Sequence, residues 1–203
     1  MDHFFQWAVS HKSRIVGLWK ILYVLLFSFL LIGALSIVRQ DANAGNFFVL
    51  GRQAGQLGLV LFIVIAIPGI ARRFGFRHPA IVLLKVFRRY FGITMYILAL
   101  MHAGLVRFAL VAAGLVAMTP VPTFILFGTL ALSLLFLLFF TSNDLSVRKL
   151  GVWWQRIHNL FYIVMWLIFL HVGFQRLSIW TILIGGTSLI EFASFIWEKK
   201  YRV

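Results

Sequence analysis

Six long apolar runs leave this chain few ways to fold. They fall at approximately Leu18–Val38, Gly55–Ala71, Tyr90–Ala117, Phe124–Phe140, Trp153–Phe174 and Leu177–Trp197. A helix rises ~1.5 Å per residue, so about 20 apolar residues cross a hydrocarbon layer of about 30 Å. Inside that layer every backbone N–H and C=O needs a partner, and a helix supplies those partners from its own turns. The expectation is therefore an all-α integral membrane protein, a bundle of six transmembrane helices. One such bundle uses the whole length, residues 1–203, as a single domain. Composition agrees, since 62% hydrophobic and 12% charged residues lie outside the range of soluble domains. Lys12 and Arg14 precede the first run, and Lys20 stands at its start, as they would in a signal peptide. That run is too long for one, so it reads as an uncleaved anchor.

Direction follows from the loops. Of the 19 Lys and Arg residues, all but Arg39, Arg52, Arg107 and Arg176 fall on the side shared by the two termini, the loop between runs two and three, and the loop between runs four and five. Excess Lys and Arg marks the cytoplasmic side, so both termini are expected there. The net charge of +14 is matched to anionic membrane lipids rather than to nucleic acid. The segment Arg72–Arg89, basic at both ends and apolar between, reads as a short amphipathic helix on the cytoplasmic interface, opened by Pro79. Trp153 and Trp154 read as members of the interfacial aromatic belt.

His102, His158 and His171 lie within apolar runs. An ionisable group there is costly and points to function, and neutral imidazole is the commonest protein ligand for metals. The third and fifth runs both rise from the cytoplasmic side, and at ~1.5 Å per residue His102 and His171 both lie roughly 20 Å up. Matched depth on parallel helices suits two ligands of one porphyrin iron. Three separate hydrogen-bonded packing histidines would produce the same spacing, and that reading stays open. His158 sits near the inner interface. Thirteen residues at ~100° put His158 and His171 on opposite-leaning faces, so either the fifth helix bends or His158 has another task. His3, His11 and His78 read as interfacial and structural. Cysteine is absent, which removes iron–sulfur clusters and covalent haem attachment. Asp144 and Glu191 form no carboxylate pair, so hydrolysis finds no support.

The stretch TSNDLSVRKLGVWWQRIHNLFY, Thr141–Tyr162, resembles the ferric-reductase-like transmembrane family. Within that family it is similar to the MsrQ-like haem-binding membrane subunits of periplasmic methionine-sulfoxide reductase systems. Gly51-Arg52, Pro68 with Arg72, Arg88-Arg89 with Gly92 and His102, and His171 agree with them, over roughly Gly51 to Phe174. The resemblance implies a multi-pass protein of the bacterial inner membrane that holds haem b, one per chain, with His102 and His171 as ligands. In dihaem relatives the inner third-span position is a histidine. Here it is Arg88, which removes the partner His158 would need. FMN use is associated with MsrQ-like proteins, and His158 would be a weaker ligand or help to hold an inner flavin or quinone. No glycine-rich dinucleotide fingerprint is present, so electrons are expected from a cytosolic flavin reductase or from membrane quinol. The acceptor implied is extracytoplasmic, a periplasmic methionine-sulfoxide reductase.

Four arginines complete the candidate site. Arg52 and Arg107 lie on the outer side, where they would pair with haem propionates or simply contact lipid. Arg88 and Arg89 would meet an anionic flavin phosphate at the inner face, or serve only the charge bias of the loops. The alternatives carried beside the cytochrome reading are a stand-alone ferric or cupric reductase and a non-redox scaffold or transporter accessory. Transport predicts broken helices with midplane polar residues, and the runs here are largely intact.

Overall fold

A computed structural model describes residues 2–41, 43–114 and 121–201. Among these residues every element is helical: α1 (Asp2–Ser10), α2 (Lys12–Arg39), α3 (Ala44–Arg73), α4 (Pro79–Ala112), α5 (Thr123–Phe140), α6 (Asp144–Leu150), α7 (Val152–His158), α8 (Leu160–Gln175) and α9 (Ile179–Tyr201). Six spans, with α7 and α8 together forming the fifth, are long and apolar enough to cross a membrane. The chain forms two compact units, Met1–Ala117 and Met118–Val203.

In the first unit α3 packs along α4, with α2 against both. Close approach comes from missing side chains. A Cβ at Gly51 would lie 2.9 Å from Leu105 Cβ, and one at Gly58 3.6 Å from Leu98 Cβ. Leu98, His102 and Leu105 of α4 thus face Gly58, Gly55 and Gly51 of α3 in antiparallel order. Lipid tails are as apolar as leucine, so burial alone drives little association here; tight van der Waals contact over small residues does it instead. Ile97 and Leu105 are fully buried at this seam. Pro68 lies within α3, a placement membrane helices tolerate because neighbouring groups satisfy the freed carbonyl.

The expected amphipathic helix before the third run is not a separate element. Pro79 at the first helical position and His78 as cap, its Nδ1 accepting from Ala80 N–H at 3.2 Å, start a helix that continues to Ala112. At ~1.5 Å per residue its 34 residues span about 50 Å, so the basic turns at its start extend past the hydrocarbon. Residues 115–117, the expected end of that run, lie outside the described residues.

In the second unit α5 runs antiparallel to α7 and α8, and α9 packs on α8. Asn143 caps α6, its side chain accepting from Ser146 N–H at 2.8 Å. Gly151, at φ 50° and ψ −121°, turns the chain into α7. The fifth span is interrupted at Asn159, directly after His158. Tyr162 N–H bonds Asn159 C=O at 3.1 Å, a tightened turn of 3₁₀ type.

Candidate haem-ligand site

His102, in the fourth helix of the first unit, places Nδ1 3.0 Å from the carbonyl oxygen of Gly51. A carbonyl only accepts, so Nδ1 carries the hydrogen and Nε2 the lone pair. The ring lies in a notch on α3 made by Gly55, where a Cβ would stand 2.7 Å from Nδ1 and 2.8 Å from Cγ. Buried Met101 and Ala54 belong to the apolar cluster beside it.

His171, in α8 of the second unit, repeats the arrangement. Its Nδ1 lies 2.7 Å from the carbonyl oxygen of Phe124. A Cβ at Gly128 would stand 2.6 Å from Nδ1. Phe124 lies against the ring, centroids 6.0 Å apart, and Phe127 stacks on Phe174 one turn away. Here again Nδ1 donates and Nε2 keeps the lone pair.

His158 is held differently. Thr141 Oγ1 donates to Leu137 C=O at 2.7 Å and stands 3.2 Å from His158 Nε2. With the hydroxyl hydrogen on the shorter contact, Nε2 is the donor and the lone pair moves to Nδ1. Trp154 stacks on the imidazole, centroids 4.1 Å apart, and its Nε1 donates to Thr141 C=O at 3.0 Å. The three side chains clasp the end of α5 to α7.

The arginines divide by exposure. Arg52 follows the residue whose carbonyl holds His102, and Arg107 lies five residues beyond His102; both are exposed. Arg88 is exposed and Arg89 half-buried on the early turns of α4. Arg73 is buried instead, with its guanidinium folded back over Gly69. The structure thus keeps His102, Arg52 and Arg107 in the first unit and His158 and His171 in the second. Gly55 and Gly128 were missed from the sequence. Gly104 and Gly173, each two residues after one of these histidines, instead face Leu30 and Thr181. His11 is also structural, stacked on Trp7 with Nδ1 2.9 Å from the Trp7 carbonyl.

A family model described as "Ferric reductase like transmembrane component" matches residues 53–169, more than half of the chain. The chain belongs to the ferric reductase like transmembrane component family. The matched region includes Gly55, His102, Gly128 and His158 and ends two residues before His171. No curated protein and no solved structure gives a match. Membership makes the chain a membrane component of a family named for reductases, in keeping with its six apolar spans.

Proposed function

We propose that this ferric-reductase-like protein is a membrane b-type cytochrome that moves electrons from a cytoplasmic-side donor to an extracytoplasmic acceptor. One observation carries the proposal: His102 and His171 each donate from Nδ1 to a backbone carbonyl of a facing helix. Histidines that ligate metals characteristically give their other ring hydrogen to such an acceptor, which fixes the tautomer and raises ligand basicity. The residues fit the group: two neutral imidazoles with Nε2 lone pairs are the donor set a non-covalent haem b takes. Bound haem would supply a one-electron iron couple within the membrane.

The remaining roles belong to the chain. His102 and His171 would hold the iron, and their apolar surroundings would exclude water. Arg52 and Arg107 would pair with its propionates. Arg88 and Arg89 would bind the phosphate of FMN on the side of the two termini. His158 would keep its Nε2 hydrogen on Thr141 and brace the end of the fifth span. The topology proposed has both termini in the cytoplasm of a bacterial inner membrane. The donor is a cytosolic flavin reductase or quinol. The acceptor is a periplasmic methionine-sulfoxide reductase, as the MsrQ-like resemblance of Thr141–Tyr162 suggests.

Pyridine haemochrome analysis of the purified protein tests the core of this reading. About one haem b per chain is expected, lost in His102→Ala and in His171→Ala. Wild-type protein that takes up no haem under ample supply contradicts it.

A further inference from the structure

We infer that Gly55 and Gly128 are positioning residues, each setting the tautomer and orientation of one histidine from the facing helix. The consequence for haem rests on the function proposed above; the geometry does not. Side chains on a helix lean toward its N-terminus, so the side chain at position i+4 covers the carbonyl at position i. A glycine at i+4 leaves the second lone pair of that carbonyl open to a neighbour. Gly51 and Gly55 stand in this relation in α3, and Phe124 and Gly128 stand in it in α5. In both pairs the uncovered carbonyl accepts from a histidine, at 3.0 Å and 2.7 Å. The intervening residues differ completely, Arg-Gln-Ala in one and Ile-Leu-Phe in the other. Two unrelated helix pairs therefore carry the same device at the same offset.

A methyl at either glycine would meet the near edge of the ring, at 2.7 Å and 2.6 Å from Nδ1. The imidazole has only two side-chain torsions with which to move away. Displacement lengthens or breaks the Nδ1–H···O=C bond, releases the tautomer and swings Nε2 off its line. An interhelical hydrogen bond in a membrane contributes little to stability on average, so the device orients the ring more than it stabilises the fold. Other glycines serve as controls. Gly33 and Gly185 admit a methyl no better, at 2.7 Å from Phe47 and 2.8 Å from Phe169, yet neither faces a histidine.

The test uses the full-length protein in nanodiscs, comparing wild type, Gly55→Ala and Gly128→Ala with Gly33→Ala and Gly185→Ala. Nitrogen-15 NMR of labelled histidine in haem-free protein reads the tautomers, with His102→Gln and His171→Gln giving assignments. Electron paramagnetic resonance and redox titration of the haem-loaded protein read ligand orientation. In wild type both rings are expected as the Nδ1–H tautomer. Gly55→Ala should disturb His102 alone and Gly128→Ala His171 alone. Each should shift the low-spin signal and the midpoint potential, or lose the haem. Gly33→Ala and Gly185→Ala should lower thermal stability and leave the tautomers and the low-spin signal unchanged. An Nε2–H tautomer in the wild type overturns the inference, even where a variant fails to fold. So do folded Gly55→Ala and Gly128→Ala proteins with wild-type tautomers and signals. Absence of haem from the wild type would overturn the proposed function, while the tautomers would still decide the role of the glycines.

Discussion

A neutral imidazole carries one hydrogen and one lone pair, and the bond made by one nitrogen decides what the other offers. His102 and His171 spend the Nδ1 hydrogen on carbonyls, whereas His158 spends the Nε2 hydrogen on Thr141. His158→Ala should therefore leave haem content near wild type while weakening the clasp with Trp154 and Thr141. The loss of one hydrogen bond and one stacked pair should cost about 1–2 kcal/mol, read from thermal unfolding in detergent. The three histidines were legible in the sequence because an ionisable group within an apolar run stands out. Their notches were not, since the carbonyl and the glycine come from a different helix whose register a single sequence does not display. Gly51-x-x-x-Gly55 was the one available signal. Asp41, in the turn after α2, is a separate residue-scale case. The Ser36 hydroxyl, and then the Asn43 N–H, hold its carboxyl below the ordinary carboxylate range. A lowered folded value means the carboxylate favours the folded state above its unfolded pKa of about 4 and loses that contribution as pH falls through the lower folded value. Unfolding temperatures across the acid range should show this component in wild type and not in Asp41→Asn.

Apolar windows mark hydrocarbon, and helices outlast it. The expected run at 55–71 became a helix from Ala44 to Arg73, because the polar residues ahead of it are compatible with helix at the interface. The run at 90–117 gained its start from Pro79 for the same reason. Helix α1 and the short α6 carry too little periodic apolar sequence to announce themselves. The tightened turn at Asn159 was hidden because Asn tolerates both helix and turn. Gly151 controls the corner between α6 and α7. Its φ of 50° with ψ of −121° is a conformation that a side chain strains against. Gly151→Ala should destabilise the second unit by about 1–3 kcal/mol, seen as a lower unfolding temperature.

At the scale of the whole molecule, the six apolar spans and the family match describe a ferric-reductase-like membrane component. The proposed topology expects reporter fusions at the C-terminal end to be active only in the cytoplasm, and fusions in the turn between α2 and α3 only outside. Activity in the reverse pattern would invert the direction of electron flow in the proposal. The central claim of the proposed function is that His102 and His171 would together hold one haem b. Near-infrared magnetic circular dichroism of the oxidised protein tests it most directly, because the charge-transfer band distinguishes two imidazoles from one imidazole with another ligand. The account expects a two-imidazole band in the wild type and in His158→Ala, absent from His102→Ala and from His171→Ala. A two-imidazole band that survives loss of His102 or His171 and disappears with His158 would contradict it.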